Sequence, residues 1–155
     1  MSRVLFDAAA RHNGNAVKTI GDGAMGVFAD PRDALRSIAD ALAGLAELNT
    51  RLGLSGEDHL TLKIGLHAGP CSVVTLNGRL DYFGETVNIA ARLGELAKGD
   101  DVVLSHAILD DPPACALAEG LGQVQPLVAK LRGLPESFEL HRLVPTVATE
   151  EGPQP

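Results

Sequence analysis

The stretch from residue 84 to residue 97 has an unusual arrangement of apolar and polar positions. At about 100° per residue, Asn88, Arg92 and Glu95 fall within a sector of about 60°, and apolar side chains cover most of the remainder. This pattern predicts a helix packed in a core or an interface. A guanidinium on such a helix is costly unless an anion lies opposite it. Two interpretations stay open: an anionic ligand, or an internal salt bridge from Arg92 to Glu95 or another carboxylate.

The N-terminal part of the chain predicts a helix followed by a β-hairpin. Residues 4–10 have the pattern of the last turns of a helix. Extended runs at 16–20 and 24–28 flank Asp22-Gly23. Asp-Gly between two extended runs is a strong hairpin signal. We therefore expect Asp22 to lie at the exposed tip of a hairpin.

The middle of the chain predicts a long helix and several strands. Asp30 as N-cap, Pro31 at the first helical position and Gly53 after the last turn delimit the helix. Runs of alternating or extended pattern then predict strands at residues 60–67, 71–76, 101–105 and 137–143. Helices mixed with hairpins indicate an α/β (α+β) fold with a mixed or antiparallel sheet.

Length and composition indicate one globular domain. The chain has 155 residues, of which 45% are hydrophobic, 21% charged and only 3% aromatic, so the core must consist of aliphatic side chains. The Asp-Asp-Pro-Pro segment at 110–113 is predicted to be a loop. The Pro-, Thr- and Glu-rich residues 144–155 are predicted to form a flexible tail. The folded domain is therefore expected to span residues 1–143.

Charge and cysteine content narrow the function classes. The net charge of -7 argues against a nucleic-acid backbone as partner, because phosphate binding needs clustered Lys and Arg. The chain contains no apolar run of about 18 residues, so we expect no membrane span. Cys71 and Cys115 match no metal-binding spacing and are expected to be buried or idle thiols in a reducing compartment. We expect a cytoplasmic protein.

Three motifs together resemble the class III nucleotidyl cyclases, which include adenylate and guanylate cyclases. They are Lys18-Thr19-Ile20-Gly21-Asp22-Gly23, Ile64-Gly65-Leu66-His67-Ala68-Gly69-Pro70, and the run from Asp81 to Arg92 that contains Gly84-Glu85-Thr86-Val87-Asn88. With Leu131-Arg132-Gly133, the resemblance extends from about Leu5 to Leu143. It implies a ferredoxin-like βαββαβ palm. It also implies that the 3′-hydroxyl of a nucleoside triphosphate attacks its own α-phosphate, which releases pyrophosphate and a 3′,5′-cyclic nucleotide for intracellular signalling.

The resemblance also implies roles for residues of the first and third motifs. Asp22 matches a carboxylate that binds Mg²⁺ or Mn²⁺, and without the resemblance it would be taken as a plain turn aspartate. Lys18 and Asp81 match the pair that selects adenine, so the resemblance favours ATP as substrate and implies an adenylate cyclase. Lys18 alone would be interpreted as a residue of a solvated strand face.

Three further residues match the part of the family site that binds ribose and phosphates. Asn88 matches the residue that orients the ribose, and Arg92 matches the one that stabilises charge on the α-phosphate in the transition state. Arg132 lies where the family usually has a Lys for the terminal phosphates. His67, by contrast, is interpreted as a structural or hydrogen-bonded histidine.

The resemblance implies a site shared between two protomers, in a homodimer or a heterodimer with another cyclase domain. The family's first strand and helix, with a Phe-x-Asp motif for the second metal carboxylate, have no counterpart by position in this chain. Asp7 follows Phe6, but it lies within the predicted N-terminal helix. We therefore expect weak cyclase activity from this chain alone. Three interpretations stay open: a strand encoded just upstream, a domain fragment, or a degenerate, regulatory partner of a complete cyclase. Guanylate cyclase activity is the further alternative.

Overall fold

The computed structural model describes residues 2–20 and 23–146 as helices and strands joined by short loops. The helices are Ser2–Arg11 (α1), Pro31–Leu52 (α2), Glu85–Leu96 (α3), His106–Leu109 (α4) and Pro112–Leu121 (α5). The strands are Asn15–Ile20 (β1), Gly23–Val27 (β2), Lys63–Leu66 (β3), Ser72–Leu76 (β4), Arg79–Phe83 (β5), Asp101–Ser105 (β6), Gly122–Lys130 (β7) and Ser137–Pro145 (β8).

The strands form one mixed four-stranded sheet and two hairpins. In the sheet, whose order is β3-β6-β8-β7, β3 is parallel to β6 and the other neighbours are antiparallel. The β1–β2 and β4–β5 pairs are antiparallel hairpins with their own hydrogen bonds. In the part of the chain that the structure describes, β3 pairs only with β6, so its other edge carries no strand. The prediction of a mixed α+β fold is confirmed.

The core lies on both faces of the central strand β6, which is buried at every position. Val102 and Leu104 face the cluster that includes Leu35 of α2 and two alanines of α5. Val103, on the opposite face, packs in the cluster that includes Leu93 of α3. Because successive strand residues point to opposite faces, β6 joins two helical layers through the sheet.

The helix α2 begins and ends where the sequence predicts. The Asp30 side chain accepts a hydrogen bond from the backbone N–H of Arg32 at 2.8 Å, and Pro31 occupies the first turn. Gly53 follows the last turn with φ of 66°, a left-handed conformation that glycine adopts at little cost. The helices α1 and α2 then pack through an aliphatic cluster that contains Ala8, Leu42 and Leu45.

Two parts of the sequence interpretation are wrong. Residues 110–113 are not a loop throughout: the Asp111 side chain accepts from the N–H of Ala114 at 3.1 Å, and α5 starts at Pro112. The predicted strand at 60–67 begins only at Lys63. The side chain of Asn49 instead bonds both the N–H and the C=O of Leu60, at 2.9 Å each, which satisfies that backbone without a strand.

The strand β7 and the end of β8 also lie outside the sequence prediction. Pro126 interrupts the run from Gly122 to Lys130, and proline argues against a central strand. In the sheet β7 is an edge strand, where a missing N–H is tolerated. Val144 and Pro145, assigned to the tail, pair with β7 as part of β8. The remaining tail, residues 147–155, lies outside the described residues.

A close contact at Gly65 fixes the position of α3. A Cβ atom on Gly65 would lie 2.3 Å from both the carbonyl oxygen of Ala90 and the backbone nitrogen of Gly94. The helix therefore rests with its backbone directly on β3, at a distance that only glycine allows. This contact determines where the polar side chains of α3 lie.

Candidate active site

A cleft of about 290 Å³ lies between the first two turns of α3 and the loop that joins β7 to β8. Its lining residues are Glu85, Asn88, Arg92, Arg132, Gly133 and Leu134. Three of the residues predicted from sequence, Asn88, Arg92 and Arg132, therefore meet in one place, although Arg132 is 40 positions or more from the other two in the chain.

The helix α3 presents these side chains because its other face is held in the core. Ile89 and Leu93 are 6% and 0% exposed and belong to the cluster that also holds Leu140 of β8. Asn88 is exposed, and the Arg92 side chain is 34% exposed. The predicted amphipathic helix with a narrow polar strip is thus present, and Asn88 and Arg92 of this strip line the cleft.

The arginines share one carboxylate. Arg92 Nη1 donates to Glu95 Oε1 at 2.9 Å, and Arg132 Nη2 donates to the same oxygen at 3.3 Å. The internal salt bridge left open by the sequence is therefore present. It occupies one N–H of each guanidinium, and a guanidinium has five, so both can still bind an anion.

Of the other predicted site residues, Asp81 does not line this cleft. Asp81 is half-buried on β5, and its Oδ1 accepts from the N–H of Tyr82 at 2.9 Å. Lys18 belongs to β1 and pairs with Met25 of β2. The strand β1 also contacts β5, which carries Asp81. The structure does not describe the side chain of Lys18. Asp22 lies outside the described residues.

A divalent cation has no obvious set of ligands in the described part of the chain. Within residues 2–20 and 23–146, no three His, Cys, Asp or Glu side chains come together as a metal would require. Asp7 does not match the family's second metal carboxylate by position, and it is an exposed residue of α1. The described residues by themselves therefore do not fit a bound metal ion.

His67 directly follows β3 and lies near Glu85 in the first turn of α3. Its Nδ1 is 2.7 Å from Oγ of the buried Ser105, a hydrogen bond between the ends of β3 and β6. The expectation of a hydrogen-bonded histidine is confirmed. Burial lowers the pKa of His67, and the nearby carboxylate of Glu85 opposes that shift.

Sequence reasoning did not assign Glu85 and Glu95 to the site. Glu85 lines the cleft from the first turn of α3, and Glu95 holds both arginines. The position of Glu95 on the polar strip beside Arg92 was the available signal. Its contact with Arg132, 37 residues away, has no counterpart in local sequence.

Comparison with known proteins identifies the family. Residues 4–111 match the family described as the adenylate and guanylate cyclase catalytic domain. The chain belongs to this family. An uncharacterized protein of Mycobacterium tuberculosis is 35% identical over 147 residues, which is 88% of this chain and 33% of that protein. A receptor-type adenylate cyclase of Trypanosoma brucei brucei is 32% identical over 90 residues, which is 54% of this chain and 7% of that protein.

A solved structure shows the same cyclase fold. The adenylate/guanylate cyclase/hydrolase from Silicibacter pomeroyi superposes with a TM-score of 0.74 at 22% identity, and the match covers 94% of this chain and 81% of that one. This cyclase domain spans about a third of the length of its curated mycobacterial relatives. Among its described residues, no helix is both long enough and apolar enough to cross a membrane.

Proposed function

We propose that this chain is the catalytic domain of an adenylate cyclase, which converts ATP to 3′,5′-cyclic AMP and pyrophosphate in intracellular signal transduction. One observation carries the proposal: in a chain of the cyclase family, Asn88, Arg92 and Arg132 line a single cleft. Two guanidiniums beside an amide suit a ligand that combines phosphates with hydroxyl groups.

In the proposed reaction the ribose O3′ forms a bond to the α-phosphorus while the bond from that phosphorus to the pyrophosphate oxygen breaks. The hydroxyl proton leaves to solvent, and the electron pair of the broken bond stays on pyrophosphate. Asn88 orients the ribose, and Arg92 binds the charge that develops at the α-phosphate. Arg132 binds the terminal phosphates. A preorganised donor of the Arg92 kind is typically worth about 3–4 kcal/mol.

The proposed adenine contacts come from the two neighbouring strands β1 and β5. The Lys18 ammonium donates to adenine N1, and the Asp81 carboxylate accepts from the 6-amino group. Guanine presents the opposite donor and acceptor pattern at these positions, so the pair favours ATP. Turnover of GTP at the rate of ATP would instead support the guanylate cyclase alternative.

The proposal includes Mg²⁺ or Mn²⁺ because Asp22, which lies between β1 and β2 in the sequence, matches a metal carboxylate of the family. A divalent ion, when bound, neutralises the triphosphate and lowers the pKa of a coordinated hydroxyl. One carboxylate gives little charge compensation for such an ion. We therefore propose that the remaining ligands of the metal ion come from groups outside the described residues of this chain.

A dimer, homomeric or with another cyclase domain, would complete the proposed site. The cleft of about 290 Å³ is at the lower limit for small-molecule sites, so a partner surface is needed to enclose a nucleotide. Among the described residues, five of the eight exposed large apolar side chains lie on the β4–β5 hairpin: Val73, Val74, Leu76, Leu80 and Phe83. An exposed apolar patch of this kind marks an interaction surface.

A regulatory, catalytically deficient partner is the second candidate function. The observation that favours it is that the described residues bring no metal-binding set together. Such a chain would offer Asn88 and Arg92 to another protomer that carries the metal carboxylates. It would bind ATP without turning it over alone, and it would raise the activity of a complete cyclase when the two are mixed.

The test is cyclic AMP formation from Mn-ATP by the full chain and by Arg92→Ala. We expect the substitution to lower the rate by about 10²- to 10³-fold, because it removes a transition-state donor. Arg51→Ala is the matched control: Arg51 is an exposed arginine near the end of α2, outside the cleft lining, and its loss should leave the rate unchanged.

The outcomes separate the candidates. Metal-dependent product that Arg92→Ala does not reduce would contradict the proposed mechanism. ATP binding by the parent without product, together with activation of a complete cyclase, would favour the regulatory function. A preference for ATP that disappears in Asp81→Ala would support the assignment of the adenine contacts.

A further inference from the structure

The carboxylate of Glu95 joins two parts of the cleft that are distant in sequence. It lies one turn after Arg92 on α3, whereas Arg132 comes from the loop between β7 and β8. Both guanidiniums donate to the same atom, Glu95 Oε1, at 2.9 Å and 3.3 Å. Without this shared acceptor, two neighbouring cations would repel each other.

Glu95 is placed beside the cleft and not in it. The two arginines are among the lining residues, and Glu95 is not. It accepts one hydrogen bond from each guanidinium, and each guanidinium keeps four N–H groups for other partners. Its carboxylate is the shared acceptor of the two arginines, and the Glu95 side chain is half-exposed at 51%.

We propose that Glu95 is a positioning residue of the nucleotide site: it holds Arg92 and Arg132 side by side so that both bind one polyphosphate chain. This inference rests on the proposed function, because it takes the cleft as the phosphate site. It adds a residue that touches no substrate atom and acts only through the two arginines.

Two effects of removing Glu95 have opposite signs, which makes the inference testable. Loss of a negative charge near an anion site should tighten binding by simple Coulomb attraction. Loss of the shared acceptor should loosen the arginine pair and weaken binding. We expect the second effect to win, because in the parent Glu95 is the group that brings the two guanidiniums to one point.

The experiment measures binding of inorganic tripolyphosphate to the full chain by calorimetry. Glu95→Ala is expected to bind about fivefold to tenfold more weakly, in the range of coupling between contacting residues. Glu95→Gln keeps an acceptor oxygen and should bind between the parent and Glu95→Ala. Glu57→Ala removes the same charge from the exposed 3₁₀ turn Gly56–Asp58 and should bind as the parent does.

A double-mutant cycle tests whether Glu95 acts through the arginines. Arg132→Ala should weaken binding in the parent but have a much smaller effect in Glu95→Ala, because the pair is already separated there. A merely structural role of Glu95 would leave the effect of Arg132→Ala unchanged, and that additivity would overturn the proposal.

The failure of this inference differs from the failure of the proposed function. Binding by Glu95→Ala as tight as by the parent overturns the positioning role, while loss of binding in Arg92→Ala would still support the phosphate site. If neither Arg92→Ala nor Arg132→Ala weakens tripolyphosphate binding, the cleft is not a phosphate site and the proposed function fails. No binding by the parent chain overturns both.

Discussion

Replacing Gly65 by alanine should destabilise the protein through a single steric contact. The added Cβ would lie 2.3 Å from the oxygen of Ala90 and from the nitrogen of Gly94, and 2.9 Å from the carbonyl carbon of Leu93. All three atoms belong to the backbone of α3. Because no side chain can rotate away, the whole helix must move from β3 to make room.

The size of the effect follows from the nature of the obstructing atoms. Overpacking in a core typically costs about 1–3 kcal/mol, and displacement of a rigid helix backbone belongs at the upper end of that range. A domain of this size loses about 2–4 °C in melting temperature per kcal/mol. We therefore expect Gly65→Ala to melt roughly 6–12 °C below the parent.

Gly94→Ala is a matched control on the opposite side of the same contact. A Cβ on Gly94 would lie 3.6 Å from the nitrogen of Gly65, an ordinary van der Waals distance. Alanine also favours a helix by up to about 1 kcal/mol relative to glycine, so this variant should be as stable as the parent or more stable. Thermal and urea unfolding followed by circular dichroism measure both. Equal melting temperatures for Gly65→Ala and the parent, or a larger loss in Gly94→Ala, would refute the packing argument.

Three further predictions concern stability. Asp101→Ala should cost about 3–5 kcal/mol in urea unfolding, because it leaves the largely buried guanidinium of Arg142 without its carboxylate; a cost below 1 kcal/mol would contradict this. Burial lowers the pKa values of His67 and His141, so the unfolded chain takes up protons first and stability should fall as pH drops below about 6.5. His67→Asn should flatten that dependence between pH 5 and 8, and an unchanged slope would contradict the assignment to His67. Asp111→Ala removes the N-cap of α5 and should lower the free energy of unfolding by about 1 kcal/mol in the same assay, whereas no change would show that the cap is dispensable.

The elements that could be predicted from sequence are those with strong local signals. Asp30-Pro31 and Gly53 delimit α2 by their own side chains and backbone preferences, independently of what α2 packs against. The β1–β2 hairpin is predicted from the Asp22-Gly23 pair between two extended runs of sequence, and α3 from its periodicity. In each case the information lies within a few residues.

The elements that were missed depend on contacts with distant parts of the chain. The strand β7 contains Pro126, and only its place at the edge of the sheet makes that acceptable. The helix α5 is the exception, because its signal is local: Asp111 is an N-cap followed by proline at the first helical position, although a loop is predicted there from the sequence. Residues 60–62 bond to side chains of Asn49 and Asp100, which sequence alternation cannot reveal.

In the candidate site, too, the residues with a local sequence signal could be predicted, and the contacts between distant residues could not. The motif around Asn88 and Arg92 identifies the polar strip of α3, and Arg132 was predicted by its match to the family motif. That the two arginines converge on one oxygen of Glu95 depends on the packing of the β7–β8 loop against α3. Family resemblance names the residues, and only the tertiary structure shows which of them lie together.

The charge of the cleft limits how tightly its described lining alone would bind the proposed triphosphate. Arg92 and Arg132 bring two positive charges, and the carboxylates of Glu85 and Glu95 balance them at neutral pH. The chain as a whole carries a net charge of -7. A triphosphate therefore approaches a locally neutral cleft in an anionic protein, where long-range attraction is weak. Further cations from Lys18, from divalent metal or from a second protomer would strengthen binding, and tripolyphosphate binding that tightens with added Mn²⁺ in the parent but not in a variant lacking Asp22 would show that the metal supplies them.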